Sequence, residues 1–302
     1  MKKTGKIVVV GGSNTDMTIM NQRLPVAGGI VAGGQFTMRP GGKGANQAVA
    51  VARMGGDVSF ITKTGNDLFG IQSKQLYKAE GIRTDYVFSD PDNPSGVAMI
   101  MMDNAGNKCI SIAQGSIRTL STADIDKAKA EIESAEILIM ELEIPQPTAE
   151  YIAEIAFAAG VTMVINPSPI QCISQELLKR TGIIIPNRTE AEWMTGIHVC
   201  DWESARKAAL RIQGQGVATV IVTLGALGVL ICGKDGFYEI PAEKVDSIDN
   251  SAAGDTFCGT LCVGLTEGMS IVEAARMACK AAAIAVTRLG IQESIPYRKE
   301  LD

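Results

Sequence analysis

Short apolar runs recur along this chain, spaced widely enough for a helix to fit between them. No other feature constrains the fold as strongly. Lys6–Val10, Val58–Thr62, Ile137–Met140, Thr162–Ile165, Ile183–Ile185 and Val220–Thr223 are rich in β-branched residues and nearly continuous in hydrophobicity. A half-exposed strand alternates apolar and polar residues, whereas an unbroken apolar run marks a strand covered on both faces, as in parallel sheets. Helical patterns fill the gaps: Ala45–Met54, Leu68–Glu80, Ala123–Ser134, Thr148–Ala159 and Glu203–Gln213. Ser121-Thr122 offers an N-cap to the third, and a glycine follows each of the others. The alternation predicts a doubly wound α/β sheet with right-handed crossovers.

Two stretches break the alternation. Gly28–Arg39 and Ser95–Ala113 read as extended chain without a crossover helix, and Asp103-Asn104-Ala105-Gly106-Asn107 is a hairpin signal. Insertions over about 17–40 and 95–114 predict a small β-sheet lying over the strand ends as a lid. No tandem repeat or long linker divides the chain, so one domain over 1–302 is expected.

Composition narrows the function classes. A chain of 302 residues with 46% hydrophobic side chains can bury a sizeable core. The net charge of −5 and the lack of a Lys/Arg cluster argue against nucleic acid. No apolar run reaches membrane-spanning length. The N-terminal apolar run Ile7–Val10 is too short for a secretory signal and stops at Gly11-Gly12. The seven cysteines lack zinc-type spacing, which predicts buried free thiols in a reducing cytoplasm. The one histidine, His198, follows a turn at Thr195-Gly196 and reads as structural or solvated. A general base in this chain is therefore expected to be a carboxylate.

Two glycine-rich segments carry the chemistry. Arg39-Pro40-Gly41-Gly42-Lys43-Gly44-Ala45-Asn46-Gln47 leads into an Ala/Val helix. Small residues let backbone approach a ligand, and the helix start offers free N–H groups. This is neither a Walker A loop nor a dinucleotide fingerprint, and on its own it reads equally as a tight turn. Asp249-Asn250-Ser251-Ala252-Ala253-Gly254-Asp255-Thr256-Phe257 precedes a second helix running to about Glu267. Unobstructed amides over Ala252–Asp255 would form an anion hole suited to a phosphoryl group in transfer. Asp255 is then either a dipole-stabilising first-turn aspartate or a general base for a hydroxyl nucleophile, and the segment alone allows both.

Together, Gly41–Gln47 and Ala252–Phe257, in this order and each before a helix, resemble the signatures of the ribokinase family of sugar kinases. The resemblance runs from about Ile7 to Pro296. Asn166-Pro167-Ser168-Pro169, the N-x-x-E pattern Asn187–Glu190 and the loop Thr223–Gly228 extend it. It implies a three-layer α/β/α sandwich with a small β-sheet lid, commonly a homodimer through that lid. It also implies ATP, Mg2+, an activating K+ and phosphoryl transfer to a hydroxymethyl group of a small sugar. D-ribose is the first expectation, with deoxyribose, fructose or a nucleoside as alternatives.

The resemblance also assigns roles. Asn14 and Asp16 would hold sugar hydroxyls, joined by Gly42, Lys43, Asn46 and Glu143. Asp255 would accept the hydroxyl proton beside the anion hole of Ala252, Ala253 and Gly254. Asn187 and Glu190 would organise Mg2+ through water, and Thr223, Gly225 and Gly228 would line the nucleotide. Cys279 would lie near the adenine. Asp249 would supply a side chain to K+, with carbonyls from Ser251, Ala285, Arg288 and Gly290 and with Ser294 near. Three departures stand out. Gly28-Gly29-Ile30 replaces Gly-Glu-Thr, Gln114-Gly115-Ser116 replaces Gly-Ala-Asn, and Cys279 replaces a polar residue. The first two bear on which sugar is used and the third on nucleotide preference. A non-catalytic sugar- or nucleotide-binding regulator on the same fold is the rival from another class. A dinucleotide oxidoreductase lacks its phosphate fingerprint.

Overall fold

The computed structural model describes residues 5–301. Its main sheet has nine strands: β1 (Lys6–Val10), β4 (Asp57–Gly65), β5 (Val87–Asp90), β8 (Ile137–Met140), β9 (Thr162–Ile165), β10 (Ile183–Ile184), β11 (Thr219–Thr223), β12 (Gly228–Gly233) and β13 (Gly236–Pro241). The order is β13-β12-β11-β10-β9-β8-β1-β4-β5. From β11 to β5 all neighbours are parallel, while β12 and β13 form an antiparallel edge. The expected doubly wound sheet is therefore present, with a hairpin edge that the alternation did not foretell.

Residue alternation builds the layers. Val8 and Val10 of β1 enter one core, and Ile7 and Val9 enter the other. The first core packs under α3 (Thr122–Glu133), α4 (Gln146–Ala158), α5 (Gln175–Lys179), α6 (Arg188–Thr195) and α7 (Trp202–Gln213). The second packs under α1 (Lys43–Arg53), α2 (Leu68–Ala79), α8 (Ala253–Thr266) and α9 (Ile271–Val286). The three-layer sandwich follows directly. Each predicted helix forms within about two residues of its expected bounds, and Ser121 caps α3 as expected.

A separate four-stranded sheet makes the lid, in the order β3 (Gln35–Gly41), β2 (Asn14–Asn21), β6 (Gly96–Asp103), β7 (Lys108–Ala113). Two expectations need correction. Gly28–Arg39 is not extended throughout: pairing begins only at Gln35, because Gly28 and Gly33 take left-handed conformations that interrupt a strand. The cysteines are not uniformly buried: Cys232, Cys258 and Cys262 are, but Cys109, Cys172 and Cys200 are exposed. Among the described residues, no helix is long and apolar enough to cross a membrane. His198 is exposed and pairs with Glu192 at 2.8 Å, as a solvated residue should.

Candidate active site

Chain connections leave β1 and β8 in opposite directions: β1 continues, through the first two lid strands, towards β4, and β8 towards β9. A crevice opens at the carboxyl ends of such a divergent pair. Gly11 and Gly12 follow β1 there, Glu141–Glu143 follow β8, and the N-termini of α1 and α8 face the same place.

Asp255 lies in the first turn of α8 and is only 5% exposed. Its carboxylate accepts two side-chain amides, Asn46 Nδ2 on Oδ2 and Gln47 Nε2 on Oδ1, both at 3.0 Å. Close packing of α1 on α8 makes this possible. A Cβ at Gly259, one turn beyond Asp255, would fall 2.6 Å from the Ala50 Cβ and 2.8 Å from the Gln47 carbonyl. Burial pushes the Asp255 carboxyl above its usual range, while Lys43 and the two amides pull it back. The first-turn amides of Gly254 and Asp255 have no carbonyl one turn behind them in the helix. A Cβ built on Gly254 meets nothing within 4 Å, so the start of α8 has open space beside it.

Lys43 opens α1 among four carboxylates. Burial works to lower its pKa, but Asp255, Glu143, Glu190 and Glu141 outweigh burial and hold the ammonium above its ordinary value. Glu143 shows the converse: burial raises its pKa to about 7, Lys43 opposes the shift, and Asp255 and Asp16 add to it. The buried Glu143 Oε2 has no hydrogen-bond partner among the described residues. Glu141 is fully buried and braces the crevice, accepting the Gly12 N–H and, at 2.5 Å, the Glu143 N–H.

Asn14 and Asp16 share one face of β2, over Gly41 and beside Gly96. A Cβ at Gly41 would fall 2.4 Å from the Asp16 carboxylate, and one at Gly96 2.1 Å from Asn14 Oδ1. That Asn14 oxygen is buried and also lacks a partner. Burial raises Asp16 to about 6, and Glu293 adds to the shift. Unpartnered buried acceptors cost about 1–3 kcal/mol each, so a ligand that donates hydroxyl hydrogens gains from meeting them. Of the departures, Gln114 touches this corner, because its carbonyl lies 2.8 Å from the same Gly96 Cβ position. Gly28–Ile30 sits on an exposed lid loop.

The remaining candidates fall into three groups. Asn187 and Glu190 lock each other in a capping box at the start of α6, with Asn187 Oδ1 accepting the Glu190 N–H at 2.9 Å and Glu190 Oε2 the Asn187 N–H at 2.8 Å. Thr223 lies alongside: Asn187 pairs with it in an isolated parallel bridge, and its N–H donates to the Pro186 carbonyl. Gly225 continues that loop, and Gly228 starts β12 so close to β13 that a Cβ would meet the Ile240 carbonyl at 2.1 Å. Cys279 is on α9, lining a groove of about 820 Å3 with Ile240, Pro241, Glu243 and Arg276. Burial raises its thiol to about 11. Finally, the segment Asp249–Ser251 meets the end of α9. Asp249 Oδ1 accepts the Ser251 N–H and hydroxyl, and Oδ2 accepts the Gly290 N–H at 3.3 Å. The Ala285 carbonyl accepts the Arg288 N–H at 3.1 Å, and Ser294 donates to Ile291.

Residues 4–298 match the family described as pfkB family carbohydrate kinase. The chain belongs to this family of carbohydrate kinases. It is 40% identical to a ribokinase from Haemophilus influenzae over 99% of this chain and 97% of that one. It is 31% identical to a deoxyribokinase from Salmonella typhi over 96% and 95% respectively. A solved Arabidopsis thaliana ribokinase complexed with ribose and ATP superposes with a TM-score of 0.92, at 28% identity, over 99% of this chain and 97% of that one. A pfkB family member is an ATP-dependent kinase, so the chain is an enzyme.

Three residues of this pfkB site carry contacts that motif reading passed over. Gln47 closes the first glycine-rich segment without drawing attention as an Asp255 partner. Glu141 had a visible signal, a carboxylate directly after the four apolar residues of β8. Gln292 had none, since it lies in an irregular tail and reaches Asn46 only through the tertiary fold.

Proposed function

We propose that this carbohydrate kinase transfers the γ-phosphoryl group of ATP to the hydroxymethyl group of D-ribose, giving ribose 5-phosphate and ADP. The observation that carries the mechanism is Asp255, a buried carboxylate fixed by two amides in the first turn of a helix whose start has open space beside it. Asp255 takes the proton from the sugar hydroxyl. The freed oxygen electron pair forms the new bond to the γ-phosphorus as the bond to the β-phosphate oxygen breaks. Phosphoryl transfer asks mainly for positioning and charge stabilisation. The amides at Ala252, Gly254 and Asp255, with the positive end of α8, take up charge on the transferred group; the expected Ala253 donor is instead shared with the Asn250 carbonyl at 3.3 Å. Asn14, Asp16, Gly42, Lys43, Asn46 and Glu143 hold the sugar, with the unpartnered Asn14 Oδ1 and Glu143 Oε2 as hydroxyl acceptors. Thr223, Gly225 and Gly228 hold the nucleotide, with Cys279 towards its base.

Mg2+ fits Asn187 and Glu190 through water. The capping box fixes both side chains, each oxygen in it retains a lone pair for a coordinated water, and Mg2+ commonly keeps several of its waters. When bound it would neutralise charge on the β- and γ-phosphates. K+ fits the junction of Asp249 and Ser251 with Ala285, Arg288, Gly290 and Ser294. Asp249 Oδ2 there carries only a long contact, and backbone carbonyls retain a second lone pair.

The lid supports a homodimer. Phe36, Met38, Met99 and Met101 are exposed on one face of the sheet, and Ile110 and Ile112 on the other. A lone sheet with apolar side chains on both faces calls for cover, and a second lid would supply it. Three exposed free cysteines fit a reducing cytoplasm. The match to residues 4–298 favours a single domain across the chain. Deoxyribose is the second reading, favoured by the changed Gln114-Gly115-Ser116 corner beside Asn14 and by the deoxyribokinase relative.

The test is ADP release with ATP, Mg2+ and K+ against pentoses, hexoses and nucleosides. Ribose is expected to give the highest kcat/KM. A different best sugar would move specificity without touching the mechanism. Sugar binding without ADP release would overturn the kinase reading.

A further inference from the structure

Resting on the reading of Asp255 as the base, we propose that Gln292 is a positioning residue for phosphoryl transfer. It fixes which way round the Asn46 amide sits, so that Asp255 meets a donor and not an acceptor. A continuous chain of hydrogen bonds makes the link. Gln292 Nε2 donates to Asn46 Oδ1 at 3.1 Å, and Asn46 Nδ2 donates to Asp255 Oδ2 at 3.0 Å. All three residues are 5% exposed, so bulk water is not at hand to replace a missing partner.

An asparagine amide has nearly the same shape after a half-turn, but its two ends have opposite hydrogen-bonding character. In one orientation Asn46 gives Asp255 a donor. In the other it sets a carbonyl oxygen against a carboxylate. The amide donor of Gln292 selects the first, because only then does Asn46 Oδ1 have a partner. Gln47 donates separately to the other carboxylate oxygen, so loss of the Asn46 bond leaves the base held by one side only.

Gln292 is itself anchored. Its backbone carbonyl accepts Arg53 Nη1 at 2.5 Å, and the Ile295 carbonyl accepts the same nitrogen at 2.8 Å. Arg53 is held in turn by Glu80 through Nε at 3.0 Å. The tail segment is thus pinned to α1 at one end of that helix while its Gln292 side chain reaches Asn46 near the other.

The charged and titratable groups facing Asp255 are Lys43 from α1, Glu143 from beyond β8, Glu190 from α6 and Cys258 from α8 itself. An uncharged replacement of Gln292 leaves all four in place and adds no charge, so a shift in Asp255 titration in Gln292→Met reports the relay.

The experiment compares Gln292→Met and Gln292→Glu with wild type, and with Asp255→Asn as reference. kcat and KM for ATP and D-ribose are followed across roughly pH 5.5–9. Gln292→Met keeps the volume and removes the donor. Its kcat should fall about ten- to a hundredfold, with both KM values within about twofold. The acidic limb of kcat should move to higher pH, because Asp255 loses a donor that favours its ionised form. Gln292→Glu should lose more, since a carboxylate attracts the Asn46 nitrogen and turns its oxygen towards Asp255. Gln292→Glu brings a charge of its own, so if the thioether unseats the segment that variant carries the test through kcat against KM and not through the limb. Wild-type kcat with an unmoved limb in both variants would overturn the proposal. So would a fall in kcat matched by a lower melting temperature with the limb unmoved, which would show a merely structural role. Full turnover in Asp255→Asn would instead remove the base assignment, and no turnover of D-ribose by wild type would remove the ribose reading.

Discussion

The two sheets of this protein follow the same pairing rules and differ in what covers them. In the main sheet, Val8–Val10 and Leu138–Met140 are fully buried, with a helical layer on each side. In the lid, every residue of β7 is exposed and β3 is exposed until its last three residues. The helices packed on the covered sheet can hold a carboxylate to within a hydrogen bond, as α1 holds Asp255 of α8. The uncovered sheet must take part of its order from whatever settles on it. Chemistry in the body, with sugar recognition shared between body and lid, is the division this difference teaches, and the variants below are chosen to break it.

The largest effect should come from the body. Asp255→Asn preserves shape and removes the proton acceptor. A general base contributes about 10²- to 10⁴-fold, so kcat should fall by that order while KM for sugar and ATP changes little. Steady-state and single-turnover assays would check it. A kcat within threefold of wild type, roughly, would end the assignment.

A smaller effect, of a different kind, is expected from the lid. In register, Met99 lies beside Met17 and opposite Ser111, and Met17 lies opposite Met38. Met99→Lys would put a charge in the middle of this apolar face. If the lid is the proposed dimer interface, sedimentation should then show monomer for the variant and dimer for wild type, because an unpaired buried charge is costly at an interface. The sugar KM should rise about tenfold with kcat nearly kept, since uniform binding is lost and the base is untouched. An unchanged sedimentation coefficient would place any dimer elsewhere, and a large fall in kcat would blur the division between sheets.

How far the sequence could be read follows the same division. Strands buried on both faces announce themselves as unbroken apolar runs, so β1, β8, β9 and β11 were legible almost to the residue. The hairpin β12–β13 is marked in sequence only by Asp235-Gly236 between two short apolar runs, a single local turn signal beside the longer alternation. The lid was legible as two interruptions. Its first strand was legible only from about residue 17, because Asn14 becomes strand by pairing with Gly41 and Gly96, far away in sequence. In the site, the two glycine-rich segments marked Asp255 and Lys43. Gln47, Glu141 and Gln292 act through contacts 129 to 246 residues apart in sequence, and no local pattern encodes those.

The finest probe of the boundary between body and lid is pH, because Asp16 belongs to the lid and Glu143 to the body. Burial raises the first to about 6 and the second to about 7. Each must be ionised to accept a sugar hydroxyl with full strength. KM for the sugar should therefore fall about fivefold between roughly pH 6.5 and 8, most of it from Glu143. In Glu143→Gln the dependence should shrink to less than about twofold, with KM higher throughout. Stability should run the other way. A carboxyl whose folded pKa is raised favours the protonated form, so its contribution is whole below the unfolded pKa and is lost as pH rises through about 6 and 7. The ligand-free protein should therefore melt lower at pH 8 than at pH 5, and saturating sugar should narrow that gap by giving the ionised acceptors their missing donors. A sugar KM independent of pH, with a melting temperature that rises from pH 5 to pH 8, would show that neither carboxylate meets the sugar from a protonated resting state.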